Sequence, residues 1–145
     1  DEPELFSRSL EQLEDYIALE KLRFGDRIQF VTDLEVTGFM LPPLILQPVV
    51  ENAIKHGLFP KTEGGTILLR TRMEGDKIII TVKDDGVGFD TEAPHKEESV
   101  GLDNIRFRLE HMVNGTMNIE SSPGKGTTVT IVIPCRRNKD SSGNI

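Results

Sequence analysis

The stretch from Leu46 to Gly57, LQPVVENAIKHG, places the strongest constraint on how this chain can fold. Its apolar residues recur at three- and four-residue spacing, which is typical of one face of an α-helix; they are Leu46, Val49, Val50 and Ala53. The pattern predicts an amphipathic helix whose apolar face packs into the core. Glycine suits the left-handed turn after a helix end, so we expect this helix to end at Gly57.

Polar residues follow one edge of this helix. Asn52 and His56 are one helical turn apart, and Lys55 lies beside them. An amide oxygen is a hard ligand for Mg²⁺, and an ammonium group is a point charge for phosphate. The residues therefore suit a magnesium–phosphate site, but a plain helix with a solvent-facing Glu51–Lys55 pair explains them equally well.

Composition narrows the classes of function. The length suits one domain, and the formal net charge of -7 argues against a nucleic-acid surface, which needs a basic patch. The single cysteine, Cys135, cannot form an internal disulfide and favours a reducing compartment. No apolar run is long enough to span a bilayer. Because the chain begins at Asp1, we expect it to be a piece of a longer protein whose membrane anchor lies elsewhere.

Hydrophobic periodicity divides the rest of the chain into helices and strands. Besides the central helix, it predicts helices over Glu4–Phe24 and Leu102–Met112, and strands over Arg27–Asp33, Thr66–Met73, Lys77–Lys83, Thr116–Glu120 and Thr127–Ile133. Glu74-Gly75-Asp76 is typical of a hairpin turn. Because strands and helices are partly segregated, the order favours a two-layer α+β sandwich over a doubly wound sheet.

The first glycine motif, Asp84-Asp85-Gly86-Val87-Gly88, follows a hydrophobic strand. A carboxylate at a strand end can accept a hydrogen bond from an exocyclic amine such as that of adenine. The glycines allow the backbone to approach a flat ring closely. An ordinary β-turn is the alternative, because Asp-Gly is a common turn dipeptide.

Two further glycine motifs follow. Gly101 in Val100-Gly101-Leu102 is predicted to precede a helix N-terminus, whose free N–H groups can bind an anion. Gly124–Thr128 joins two strands, and taken alone it is better explained by a hairpin loop. The polar stretch Asp90–Ser99 has almost no apolar residue, so it is predicted to be a mobile lid. Arg108 is expected to face water.

In this order and spacing, Asn52–His56, Asp84–Gly88, Gly101-Leu102 and Gly126-Thr127 resemble the N, G1, G2 and G3 boxes of the GHKL ATPase superfamily. Leu46–Ala53 and Gly101–Leu109 are closer still to the LytS-type sensor histidine kinases. The chain departs from most histidine kinases in its short G2 box and in having no F box, and the LytS type shares that short lid.

The resemblance implies a Bergerat fold, in which helices cover one face of a mixed, mostly antiparallel sheet, with ATP and Mg²⁺ bound between the helices and the lid. The resemblance gives each motif residue an implied role. At the phosphate end, Asn52 would bind Mg²⁺, Lys55 and His56 would approach phosphate, and Gly101 and Leu102 would border the lid. At the base end, Asp84 would hold the adenine amine, Gly86 and Gly88 would shape the purine pocket, and Gly126 and Thr127 would support the adenine site. Glu51, which is adjacent to Asn52, is a separate candidate for a base that acts on an incoming histidine.

The resemblance also implies a division of the chain and a set of partners. Residues 1–25 would join the phosphoacceptor region to an ATP-binding catalytic domain over 26–135, and 136–145 would be a flexible tail. The acceptor histidine would lie upstream of Asp1, on the same or a sister chain. The parent would be a membrane-anchored homodimer with this domain in the cytoplasm, and it would pass phosphate to a response regulator.

Three other functions remain open: a GHKL ATPase of the gyrase or MutL kind, an anti-sigma-type serine kinase, and a nucleotide-binding module without transfer activity. The joining helix before Arg27 favours the histidine kinase over the first two. In GHKL hydrolases a glutamate four residues before the metal-binding asparagine activates water, whereas Pro48 occupies that position here. Intact Asn52 and Asp84 weigh against the third.

Overall fold

The fold comes from a computed structural model, which describes residues 2–92 and 96–135. Its helices are α1 (Phe6–Phe24), α2 (Leu46–Asn52) and α3 (Lys96–Val113), with a 3₁₀ turn at Gly25–Arg27 and a π-helical segment at Ala53–Leu58. Its strands are β1 (Glu4–Leu5), β2 (Ile28–Leu34), β3 (Met40–Leu41), β4 (Gly65–Glu74), β5 (Lys77–Asp84), β6 (Thr116–Ser121) and β7 (Thr127–Pro134).

Within the described residues, the main sheet has five strands in the order β2-β4-β5-β7-β6. β2 runs parallel to β4, and the other neighbours are antiparallel, which confirms the predicted mixed, mostly antiparallel sheet. A parallel pair needs a crossover connection, and α2 lies in it. β1 and β3 form a separate two-stranded ribbon that the sequence did not predict.

Helices cover one face of this sheet. Side chains alternate along β4 and β5, so that Ile67, Leu69, Ile80 and Val82 are buried while Arg70 on the opposite face is exposed. The helices contribute buried residues of the same cluster, among them Leu13, Ile17, Val49, Val50, Ile105 and Leu109. The two-layer α+β architecture is confirmed.

The first helix shares this core. Phe6, Leu13 and Ile17 of α1 are buried in the same cluster as the sheet residues. The helix ends as predicted before Gly25, whose positive φ of 58° is one that glycine adopts without strain. No helix among the described residues is long and apolar enough to cross a membrane.

The third helix begins earlier than the sequence predicts. α3 starts at Lys96, so Gly101 lies inside the helix and the prediction that it precedes the N-terminus is wrong. Lys and Glu are good helix formers, which favours extension of the helix through Lys96-Glu97-Glu98. Of the predicted lid, residues 93–95 lie outside the described residues, as does the predicted tail 136–145.

The expectation that Arg108 faces water is also wrong. Its guanidinium donates hydrogen bonds to the carbonyl oxygens of Pro43 and Leu44, the latter at 2.7 Å. Leu44 has a φ of 57°, an unfavourable left-handed conformation for a side chain of its size. Arg108 therefore ties α3 to the loop that leads into α2.

Candidate functional site

Two neighbouring cavities share Asn52 and His56. The first is walled mainly by apolar residues; besides the shared pair, it is lined by Val49, Ala53, Gly57, Val82, Asp84, Phe89, Thr127 and Val129. The second opens more widely to solvent and is lined by Pro48, Glu51, Lys55, Gly101, Leu102 and Ile105. The structure thus places an apolar slot beside a polar cleft, with the C-terminal end of α2 between them.

Asp84 is the buried carboxylate of the first cavity. It ends β5, and only 4% of its surface is exposed. Burial raises the pKa of its carboxyl group, and hydrogen bonds from the backbone amides of Gly86 and Thr127 act in the opposite direction. The Gly86 amide donates to Asp84 Oδ1 at 2.8 Å. These amides orient the carboxylate in an apolar wall, where a ligand that donates a hydrogen bond to it gains most.

Beneath the Asp84 carboxylate, the backbone of the loop after β5 packs directly against the backbone of Gly57. A Cβ atom on Gly57 would lie 2.9 Å from Asp84 Oδ1, and one on Gly86 would overlap the Gly57 carbonyl group. The Val87 amide donates to the Gly57 carbonyl oxygen at 3.0 Å. Gly57 does not have a positive φ, so the prediction of a left-handed helix stop is wrong. The position needs glycine because the loop after β5 crosses it.

The loop that joins β6 to β7 packs against the loop that follows β5, on the side away from Gly57. The Gly124 amide donates to the Val87 carbonyl oxygen at 2.6 Å. Gly88 and Gly126 have φ values of 67° and 72°, and a Cβ atom on either would overlap a carbonyl oxygen, that of Ser122 or of Asp84. An isolated β-turn would not need these contacts, so the glycine motifs interlock as parts of one site.

The two adjacent aspartates have different roles. Asp85 is exposed, and its Oδ1 accepts a hydrogen bond from the Thr66 amide at 2.8 Å. Its carbonyl oxygen accepts one from Lys61 Nζ at 2.9 Å, and Arg27 in turn donates to the Lys61 carbonyl oxygen at 3.0 Å. Asp85 therefore holds the loop that follows the π-helical segment, whereas Asp84 lines the first cavity.

The second cavity brings together most of the polar residues that the sequence singled out. Lys55 is exposed at its rim, and Glu51 accepts a hydrogen bond from Gln47 Nε2 at 3.2 Å. Burial raises the pKa of the Tyr16 hydroxyl in α1, and the carboxylates of Glu20 and Glu51 raise it further. Glu51 therefore lies between this cavity and α1.

Ser121 and Phe89 are site residues that sequence reasoning missed. The Ser121 hydroxyl accepts a hydrogen bond from the Phe89 amide at 2.9 Å and donates one to the Gly126 carbonyl oxygen at 3.0 Å. It also lies 2.8 Å from Thr127 Oγ1. The sequence feature that could have indicated Ser121 is a small hydroxyl residue at a strand end, just before a glycine-rich loop. That feature is also common in ordinary turns without a ligand.

Known proteins resemble this chain in sequence and in fold. It is 37% identical to the putative uncharacterized protein YwpD of Bacillus subtilis, over 88% of this chain and 49% of that protein. It is 32% identical to the sensor histidine kinase YpdA of Escherichia coli, over 90% of this chain and 24% of that protein. The chain therefore spans about half and about a quarter of the lengths of these curated relatives.

A solved structure shows the same fold. The catalytic domain of histidine kinase ThkA superposes with a TM-score of 0.66 at 21% identity, covering 92% of this chain and 96% of that one. Residues 42–137, which include both cavities and the three glycine motifs named above, match the family model for the histidine kinase-, DNA gyrase B-, and HSP90-like ATPases. The chain belongs to this ATPase family.

Proposed function

We propose that the chain is the ATP-binding catalytic domain of a sensor histidine kinase, which binds Mg-ATP and donates the γ-phosphoryl group to a histidine on a separate segment. One observation carries the proposal: a buried acceptor carboxylate, Asp84, lies in an apolar slot that opens beside a polar cleft lined by Asn52 and Lys55. A nucleotide has the same division into a flat, largely apolar base and a charged phosphate chain.

The first cavity suits adenine. Val49, Val82 and Val129 would provide apolar walls for the ring, and Asp84 would accept a hydrogen bond from the exocyclic amine. Such a bond to a charged group is stronger than a neutral one. Gly86, Gly88 and Gly126 hold the loops that position Asp84.

The second cavity suits the phosphates and Mg²⁺. The Asn52 amide oxygen is a hard ligand of the kind Mg²⁺ prefers, while Lys55 and His56 would neutralise phosphate charge. When bound, the ion would offset the negative charge of the phosphates. Phosphoryl transfer depends mainly on such positioning and charge stabilisation, so these residues would hold ATP ready for an incoming imidazole. Gly101, Leu102 and Glu51 line the same cleft, with Glu51 proposed as the base that orients the acceptor.

Asn52→Ala is expected to weaken Mg-ATP binding much more than metal-free ATP binding, because it removes the proposed protein ligand of the ion. Calorimetry with and without Mg²⁺ measures the ratio of the two affinities. Asn118→Ala is the matched control, since Asn118 is exposed on β6. An unchanged affinity ratio in Asn52→Ala would show that Asn52 does not hold the metal.

The chain alone is expected to hydrolyse ATP slowly. Pro48 lines the second cavity at the position where GHKL hydrolases carry the water-activating glutamate, and proline has no proton-accepting side chain. General-base help is worth ~10²–10⁴-fold in rate. Phosphate release by the purified chain should therefore be near background, whereas labelled phosphate should reach an added helical segment that carries the acceptor histidine. Rapid release that Asn52→Ala abolishes would instead identify an ATP hydrolase.

The remaining assignments extend the proposal to the parent protein. Relatives named sensor histidine kinase and sensor protein LytS support a role in signalling. We propose that the parent is a membrane-anchored homodimer, with this domain in the cytoplasm and a response regulator as the final acceptor. Residues 1–25 are proposed to join the acceptor region to the domain over 26–135. Leu19 and Leu22 of α1 are 64% and 84% exposed, which suits a helix with a further packing partner.

A further inference from the structure

We propose that Arg27 is a positioning residue for the nucleotide site, and that it acts through the side chain of Lys61 on the loop that follows Asp84. Arg27 lies in the 3₁₀ turn between α1 and β2 and lines neither cavity. Neither Arg27 nor Lys61 belongs to the motifs that the sequence singled out. Both roles rest on the proposed ATP-binding function, and they follow from contacts between parts of the chain that are far apart in sequence.

The Arg27 guanidinium holds the C-terminal end of the helix that contains the site. Its Nη2 atom donates to the carbonyl oxygens of Phe59 at 3.3 Å and of Lys61 at 3.0 Å, just past the π-helical segment. The last carbonyl groups of a helix have no partners within it, and a cation is favourable there because the helix dipole is negative at that end. Arg27 therefore fixes where the helix ends.

The residues that follow the helix, 59–64, pack against the same turn. The rings of Phe24 and Phe59 lie with their centroids 4.3 Å apart. Gly64 is buried with a φ of 72°, and a Cβ atom there would overlap the Arg27 carbonyl group. The Gly64 amide donates to the Lys61 carbonyl oxygen at 3.0 Å. That oxygen also accepts from Arg27, so both of its lone pairs are used and the backbone at Lys61 is held from two sides.

The Lys61 side chain connects this backbone to the loop after β5. Its Nζ atom donates to the Asp85 carbonyl oxygen at 2.9 Å. The Asp85 carbonyl group and the Gly86 amide belong to one planar peptide unit, and the Gly86 amide donates to Asp84 Oδ1. An ammonium group that holds the oxygen of this unit therefore also orients the amide that holds the carboxylate. Burial gives the largest shift of the Asp84 pKa, upward, whereas the Lys61 charge lowers that pKa and favours the ionised carboxylate.

Calorimetry of ATP binding to the wild type, Arg27→Ala, Lys61→Met and the double variant tests the proposal. Each single substitution should lower ATP affinity roughly 2- to 12-fold, the net range for one hydrogen bond. In the Lys61→Met background, Arg27→Ala should cost less than about a further twofold, because the side chain through which Arg27 acts is already absent. The ratio of affinities with and without Mg²⁺ should not change, since Asn52 precedes the segment that Arg27 holds. Arg70→Ala is the control, because Arg70 is exposed on the opposite face of the sheet.

Losses of affinity that simply multiply in the double variant would overturn the proposal, because Arg27 would then act without Lys61. Wild-type ATP affinity in Lys61→Met would overturn it as well. Should Arg27→Ala fail to fold, Arg27→Lys replaces it: the charge remains, but an ammonium group lacks the planar fork of a guanidinium, and its loss of affinity should also disappear in Lys61→Met. A wild-type chain that does not bind ATP would overturn the proposed function itself. ATP binding that none of these substitutions changes would overturn only the roles of Arg27 and Lys61.

Discussion

Asp84→Asn should weaken ATP binding by roughly 10- to 140-fold, the range expected for loss of a hydrogen bond to a charged group. The amide oxygen of asparagine can still accept from the Gly86 amide, which donates to Asp84 Oδ1 at 2.8 Å. The side chain loses the negative charge that strengthens its bond to the adenine amine. Calorimetry with ATP, ADP and GTP measures the effect.

The same substitution should leave the protein at least as stable at neutral pH. Burial raises the pKa of the Asp84 carboxyl group, so the folded state binds this proton more tightly than the unfolded state. The free energy of unfolding contributed by this group therefore decreases as pH rises from about 3.9, the ordinary pKa of an aspartate, through the raised value in the folded state. Asparagine cannot ionise, so the free energy of unfolding of the variant does not show this decrease as pH rises. The variant should therefore unfold at an equal or higher temperature at pH 7.

Asp85→Asn is the matched control for both measurements. It changes the adjacent carboxylate to an amide, but Asp85 is exposed, and its oxygen can still accept from the Thr66 amide. Nucleotide affinity should stay within about twofold of the wild type, well below the cost of one hydrogen bond to a charged group. Tight ATP binding by Asp84→Asn, or equal wild-type affinity for ATP and GTP, would contradict the adenine assignment.

Gly86→Ala should have a large structural effect. Its new methyl group would overlap the carbonyl group of Gly57, and a backbone atom cannot move aside as a side chain can. We expect the free energy of unfolding to fall by about 2–3 kcal/mol, the upper part of the range for overpacked cores. ATP binding should fall below detection, because the Gly86 amide also orients Asp84.

Gly38→Ala serves as the control for Gly86→Ala. A Cβ atom at Gly38 would meet nothing within 4 Å, and its φ is not in the left-handed region. Chemical denaturation and ATP calorimetry on both variants separate a local clash from a general effect of replacing glycine. Wild-type stability and affinity in Gly86→Ala would show that the loop after β5 is free to move away from Gly57.

The sequence predicted the main sheet well because its strands are long enough to show alternation. The predicted strand Thr66–Met73 differs from β4, Gly65–Glu74, by one residue at each end. β1 and β3 have two residues each, so they contain no period to detect. Their pairing depends on tertiary contact between distant parts of the chain. The start of α3 was placed too late because the apolar spacing begins at Leu102, whereas the helix extends through charged residues.

The site was predictable where a residue type itself carries the chemistry. Asn52, Lys55, His56 and Asp84 were singled out from their side chains, and the structure places them around two adjoining cavities. Ser121 was missed because its importance comes from strand register, which brings it opposite Thr127. Arg108 was assigned to solvent because an isolated sequence does not show that the carbonyl groups of the loop before α2 lie within its reach.

Because of the π-helical segment Ala53–Leu58, the geometry of the site depends on the number of residues in this helix. A π-helical turn closes over five residues instead of four, so it contains one residue more than a regular turn and shifts the phase of everything after it. That shift lets one continuous helix line the polar cleft with Asn52 and still bring Gly57 beneath Asp84. Deleting a single residue between them would restore a regular helix but rotate Gly57 away from the carboxylate. The number of residues between Asn52 and Gly57 therefore matters as much as their identity.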